Sequence, residues 1–236
     1  MAERPIFIPT PQAGTFVETE FVDFKWHPGM SVSQKQRSID SLHSAALSNR
    51  PGIGQILEVS SKSKDKLGVD LSAFNLKFTT KKHSLHMSVE CAFQGSKVFE
   101  LGGPYKDIFG LTSREAKLDE RIRNSGRLTG FTFFSTHWDL EPRTAFYDWL
   151  YINALNKQPS AVIDSLMAFG AFTDIEFNPA RSINCQAYSI ALFVSLKHKD
   201  LLAQALSSQE AFLEVIKGRA ISNSHQDHTI QGDLLS

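Results

Sequence analysis

Ser88-Val89-Glu90-Cys91-Ala92-Phe93-Gln94-Gly95-Ser96-Lys97-Val98-Phe99 is the stretch on which the reading of the fold turns. Ser88 is a good N-cap, and Gly102-Gly103-Pro104 is a stop. A helix over 89–99 is therefore expected. On it Glu90, Phe93, Gln94 and Lys97 fall at i, i+3, i+4 and i+7 and share one face. The opposite face carries Cys91, Ala92 and Val98, all small or apolar. A helix that is apolar on most sides must be packed among other elements. The Glu/Gln/Lys stripe is then either a solvated face or a semi-buried polar site. Spacing alone does not choose, but burial would oblige these groups to pair with each other or with a ligand.

Upstream, Val69–Phe78 reads as a strand, because Val69, Leu71 and Ala73 alternate with polar or small residues. Ile56–Ser60 reads as a second strand and Thr15–Phe24 as a third. Ser31 caps a helix to about Ser48 that carries Val32, Ile39, Leu42 and Ala46 on one side. Residues 1–14, with Pro5, Pro9 and Pro11, read as an extended arm. Downstream, 114–123 reads as a charged helix, Phe131–Ser135 as a short strand and Arg143–Asn156 as a helix. Pro159 opens a further helix. Ser182 caps a nearly all-apolar helix to about Lys197, which is expected to be central. One or two helices fill 200–217, with Ser207 and Glu210 spaced as a capping box. Residues 218–236 are polar and read as a flexible tail. The expectation is an α-rich α+β fold: one domain over 15–217 with a small β-sheet and central apolar helices.

Composition narrows the function classes. The 236 residues carry 25 Lys plus Arg against 25 Asp plus Glu. Zero net charge argues against polybasic, non-specific nucleic-acid binding, which needs many cations on phosphates. Eighteen Phe and 42% apolar residues exclude a disordered chain. Two cysteines, Cys91 and Cys185, make no disulfide scaffold. Met1–Pro11 has no apolar signal core, and no apolar run reaches membrane length, so a cytoplasmic protein with no membrane partner is expected. His83/His86 and His225/His228 are each three apart without supporting ligands, so no metal and no cofactor is expected.

Three further polar sets stand out. Gly103 and Tyr105 lie in a Gly-rich turn that is either a helix stop or a close approach to phosphate. Glu176, Asn178, Ser182, Asn184 and Gln186 surround the start of the apolar helix, as turn and cap residues or as phosphate ligands. Trp138, Arg143, Tyr147, Asp148 and Trp149 either pack a core or stack a base beside a cation.

Glu90-x-x-Phe93-Gln94-x-x-Lys97 resembles the E-x-x-[FY]-Q-x-x-K helix of the NADAR (YbiA-like) superfamily. Leu71-Ser72-Ala73-Phe74 is similar to that family's [LF]-S-x-F segment, and Asp174-Ile175-Glu176 followed by Asn184 resembles its late E…N segment. The likeness spans about residues 24–197. Four stretches resemble the antitoxin branch paired with DarT-type DNA ADP-ribosyltransferase toxins. They are Phe24–Ser31, Gly102–Asp107, Thr144–Tyr151 and Ser182–Ala187. The chain departs from the wider superfamily in having Asn178-Pro179-Ala180-Arg181-Ser182 where a W-G-x-G-x-x-G segment stands.

The resemblance implies an N-glycosidase-type hydrolase that removes ADP-ribose from guanine bases in DNA. Its partners would be ADP-ribosylated, single-stranded DNA or ADP-ribose, and a cognate ADP-ribosyltransferase toxin. Two other readings stay open. One is an N-glycosidase on a riboflavin-pathway or other free nucleotide intermediate. The other is a non-catalytic protein that binds ADP-ribose or the toxin. On the hydrolase reading, Glu90 is the carboxylate that stabilises an oxocarbenium-like state or acts as general base. Lys97 traps the opened sugar as a Schiff base, or pairs with Glu90 and binds phosphate. Asp148 is the second candidate acid. Phe93 and Gln94 complete the motif. Gly103 and Ser182 would serve phosphate, and Trp138 or Trp149 a base.

Overall fold

The computed structural model describes residues 1–10, 14–80 and 82–217. The chain opens with strand β1 (Ala2–Pro9), which pairs antiparallel with β2 (Val17–Phe24). Helix α1 (Val32–Asn49) follows, with Ser31 accepting from the Gln34 N–H as its cap. β3 (Ile56–Glu58), α2 (Lys66–Asp70), β4 (Lys77–Thr79) and β5 (His86–Ser88) lead to α3 (Val89–Ser96). Next come β6 (Lys97–Phe99), α4 (Ser113–Leu118), α5 (Arg121–Asn124), β7 (Leu128–Phe133) and β8 (Thr136–Trp138). α6 (Ala145–Leu155), α7 (Ser160–Met167), β9 (Ala171–Thr173), α8 (Gln186–His198), α9 (Leu202–Ala205) and α10 (Gln209–Ile216) complete it.

The largest sheet has the order β2-β1-β9-β3, with β3 and β9 parallel and the other pairs antiparallel. Its side chains alternate, as the two-residue strand period demands. Ile6, Ile8, Val22 and Ala171 face α1, where Ile39, Leu42 and Ala46 close a small core. Phe7, Leu57 and Phe172 face the other way, into a larger core built with α3, α6 and α8. Two smaller sheets, β4-β5 and β6-β7-β8, lie beyond. The architecture is the expected α+β. α8 is buried from Ala187 to Leu196, so it does lie centrally. Among the described residues no helix is long and apolar enough to cross a membrane.

Several local expectations are corrected. Residues 2–9 are not a free arm: Ile6, Phe7 and Ile8 are almost wholly buried, and β9 reaches β1 only at Phe7. The alternation in 69–78 is not a strand. Asp65 accepts from the Leu67 N–H and caps α2, and β4 begins only at Lys77. The 89–99 helix ends at Ser96, where Lys97 turns to ψ 134° and enters β6. The charged helix over 114–123 is two short ones. The apolar helix starts at Gln186 rather than at Ser182, whose hydroxyl instead donates to the Asn184 carbonyl at 3.2 Å. Ser208, and not Ser207, caps α10. The predicted tail lies outside the described residues.

Gln186, expected as a ligand contact, holds these layers together. Its Oε1 accepts from the Ala73 N–H at 2.7 Å. Its Nε2 donates to the Val59 carbonyl at 2.6 Å and to Asp174 Oδ2 at 2.9 Å. Replacing it with the similarly sized Leu leaves a part-buried N–H and two acceptors unpaired. Gln186→Leu is therefore expected to lower the unfolding free energy by about 2–4 kcal/mol in urea titrations.

Candidate functional site

All eight residues of α3 are buried, so its polar stripe is no solvated face. The helix is fixed at its start, where Ser88 Oγ accepts from the Cys91 N–H at 3.1 Å and the Glu90 N–H donates to the Ala73 carbonyl at 3.0 Å. Gly95 allows the close approach of the segment after β6: a Cβ there would stand 2.6 Å from the Phe109 ring. Glu90 and Gln94 are each only 8% exposed. Gln94 Nε2 donates to Glu90 Oε1 at 3.0 Å, and Gln94 Oε1 is buried without a hydrogen-bond partner.

Lys97 lies beyond the helix but stays at the site. Its Nζ sits 4.9 Å from the centroid of the Phe93 ring. Burial lowers its pKa to about 8; Glu90 opposes that shift and Lys117 adds to it. Phe93 is itself enclosed, with Tyr147 edge-on at 5.1 Å and Phe131 at 5.4 Å. The arrangement therefore brings a carboxylate, its amide partner and a partly desolvated amine laid over an aromatic ring onto one short segment.

The turn at Gly102–Tyr105 packs directly behind Lys97. Gly103 has φ 86°, and a Cβ there would lie 2.3 Å from the Lys97 carbonyl oxygen. Only glycine fits at such a contact. The Tyr105 hydroxyl bonds Ser125 Oγ, and the Arg121 guanidinium stands 4.6 Å over its ring. Gly103 thus packs against the Lys97 backbone, and Tyr105 is anchored by Ser125 and Arg121 two residues on.

Other candidates are placed elsewhere. Trp138 is 1% exposed among Phe146, Trp149 and Phe212, with no face free for a base. Trp149 is half-buried against Phe133 and Trp138. Arg143 is exposed and paired with Glu141 at 3.1 Å. Glu176 is exposed and paired with Lys35 at 2.9 Å. Asn178 Oδ1 accepts from the Ala180 N–H at 3.1 Å, as a turn residue does. Asn184 is half-buried in the segment leading to α8. Among the described residues no group of three His, Cys, Asp or Glu is placed to hold a metal. His83 stacks on Phe134 and His86 bonds Thr79; His225 and His228 lie outside the described residues.

Sequence reasoning missed a second buried carboxyl pair. Glu58, ending β3, accepts from the Ile175 N–H at 2.9 Å and from Thr173 Oγ1 at 2.7 Å. Asp174, just after the parallel β9, accepts from the Glu176 N–H at 3.0 Å and from Gln186. Burial raises the pKa of both; the charge of Glu58 adds to the rise at Asp174, and that of Glu176 to the rise at Glu58. His43, whose Nε2 contacts Thr173 Oγ1 at 2.8 Å, has its pKa lowered to about 4 by burial and stays neutral. The available signal was an acid at the end of an otherwise apolar strand. The charges of Glu90 and Asp174 both bear on Tyr147, so the pair stands near the α3 stripe.

Asp148 sits at the start of α6, 3% exposed, accepting from Thr144 Oγ1 at 2.7 Å and Ser189 Oγ at 2.6 Å. Burial raises its pKa to about 7, against the two hydroxyl bonds. Neither Glu90 nor Lys97 contributes, so its protonation is set apart from theirs. An exposed Asp loses its proton near pH 4. Between there and pH 7 the folded state holds more protons than the unfolded, and stability falls as pH rises. D148N lacks that loss. Its unfolding free energy relative to wild type should climb by about 4 kcal/mol from pH 4 to 7 and stay level on either side, as read in urea titrations across pH.

A family model described as DarT1-associated NADAR antitoxin matches residues 2–226. No curated protein matches the chain. The match takes in every strand and helix of the fold, from β1 to α10, and with them Glu90, Gln94 and Lys97. The chain belongs to the DarT1-associated NADAR antitoxin family.

Proposed function

We propose that this antitoxin is an N-glycosidase-type hydrolase that removes ADP-ribose from guanine bases in DNA and so reverses the modification made by a DarT toxin. The observation that carries the reading is Lys97: an amine with pKa about 8, on the face of Phe93 and within the field of Glu90. At neutral pH roughly a tenth of such an amine is uncharged, against well under a thousandth at an ordinary lysine pKa. That is the population needed for nucleophilic attack on an anomeric carbon.

The step balances as follows. The neutral Lys97 amine forms a bond to the sugar C1 as the C1–N bond to guanine breaks. The guanine nitrogen takes a proton, and Glu90 steadies the cationic carbon between the two bonds. The ammonium formed on Lys97 supplies that proton; the C1–O4′ ring bond then breaks, its oxygen taking a proton from solvent, as the nitrogen lone pair forms an iminium. Water adds to the iminium, giving a proton to Glu90, and the carbinolamine collapses to the neutral Lys97 amine and ADP-ribose as Glu90 returns that proton to solvent. In the simpler variant Glu90 activates water for direct attack and Lys97 remains a cation that draws the phosphates. The unpaired Gln94 Oε1 is available to a sugar hydroxyl in either case.

Two measurements test this. Glu90→Gln is expected to reduce release of ADP-ribose from a modified single-stranded oligonucleotide by 100-fold or more; near wild-type turnover would refute the role. Borohydride added during turnover should fix a sugar adduct on Lys97, and the rate should rise with pH up to about 8 and then level off. No adduct, with a rate flat through pH 8, leaves only the electrostatic role for Lys97.

A further inference from the structure

A cavity of about 620 Å³ opens between β4, the β7–β8 turn and α6. Its walls include Phe133, Phe134, Trp149 and Asn153, together with Lys82 and Lys157, and among the described residues no Asp or Glu lines it. The volume lies within the range of small-ligand sites. Charge and aromaticity together suit a flat, anionic ligand.

Two features of its walls are costly for folding alone. Phe134 and Ser135 form the two-residue turn joining β7 and β8, with Phe133 opposite Thr136. Such turns favour Asn or Gly, yet Phe134 takes φ 54°, a conformation that bulky residues avoid. Its ring lies parallel to His83, 4.6 Å away with planes 11° apart, extending the aromatic wall. Trp149 holds its indole N–H buried without a hydrogen-bond partner. Trp138 in the core has an unmet indole N–H too, so it is the strained Phe134 ring, set beside two lysines, that marks a ligand site.

We infer that this cavity is a nucleobase subsite, which stacks one unpaired base on the Phe134/His83/Trp149 wall and sets its phosphate near Lys82 and Lys157. The inference rests on the DNA reading above for its source of bases. A chain of rings joins cavity to site: Phe93 to Phe146 at 6.1 Å, Phe146 to Phe133 at 6.4 Å, and Phe133 to Trp149 at 6.3 Å. A nucleobase could come from the DNA strand that carries the lesion or from the adenine of ADP-ribose.

The test is equilibrium binding by the full chain, with an unmodified single-stranded oligonucleotide of about eight nucleotides as one probe and free ADP-ribose as the other. Neither probe is turned over, so a failure of the hydrolase reading leaves the measurement intact. Phe134→Ala should weaken one probe by roughly tenfold, as loss of one stacked base does. Loss on the oligonucleotide assigns the subsite to the strand; loss on ADP-ribose assigns it to adenine. Lys82→Glu, on the exposed loop, should weaken the same probe without touching the core, and should flatten its salt dependence. If a folded Phe134→Ala and Lys82→Glu both bind each probe as wild type does, the cavity is no nucleobase site.

Discussion

The side-chain amide of Gln186 is the point on which the molecule's layers agree. It takes a hydrogen bond from the Ala73 N–H, ahead of α3, and gives two, to the Val59 carbonyl after β3 and to Asp174 after β9. Four segments distant in sequence meet at one planar group. A planar amide has a fixed geometry, so this sets the height of α3 against the carboxyl ends of β3 and β9. The Glu90 N–H then reaches the carbonyl of the same Ala73. The placement of Glu90 relative to the sheet therefore descends from Gln186 through two backbone atoms of one residue.

The two sets of buried carboxyls answer to this frame differently. Glu58 and Asp174 are surrounded by backbone N–H groups and hydroxyls that fill their oxygens. Their environment holds two acids close together and pushes both pKa values upward. Glu90 has one amide partner, Gln94, whose own oxygen is unmatched. Lys97 has an aromatic face and no carboxylate in ion-pair contact among the described residues. A site whose internal bonding is incomplete keeps capacity for a ligand; a site whose bonding is complete holds a fold together. By that criterion α3 and β6 carry the proposed chemistry, and the ends of β3 and β9 support it.

Much of the frame was legible in the sequence because local signals agreed with tertiary ones. Ser31 caps α1, and the spaced Ile39, Leu42 and Ala46 are its buried stripe. The run after Gln186 is central because it is apolar on all sides but for Ser189 and Ser195, whose hydroxyls find buried acceptors. Where the reading failed, a distant partner overruled a local pattern. Prolines made residues 2–9 look like an arm, yet β2, and β9 at Phe7, complete a sheet around them. Leu71 and Ala73 alternate as a strand would, but the close packing of α2 against β3 decides that stretch. A Cβ on Gly68 would stand 1.9 Å from the Glu58 carbonyl oxygen. In the site itself, Glu90, Gln94 and Lys97 were legible from spacing. The Glu58–Asp174 pair was not, since two acids 116 positions apart meet only when parallel strands align them.

The end of α3 shows how little separates a structural motif from a chemical one. A continued helix would carry Lys97 one turn past Gln94, with its stem along the helix and its ammonium free to reach water. The backbone instead turns extended at Lys97, and β6 pairs it with Phe131. Gly103 presses on its carbonyl from behind, where no side chain could fit. The lysine is thus held by a strand, backed by a glycine, and laid over the Phe93 ring. Burial then lowers its proton affinity more than Glu90 restores it. The depressed pKa is in this sense a product of backbone geometry: the helix ends six residues before Gly102-Gly103-Pro104, and that turn backs the strand that holds the lysine over the ring.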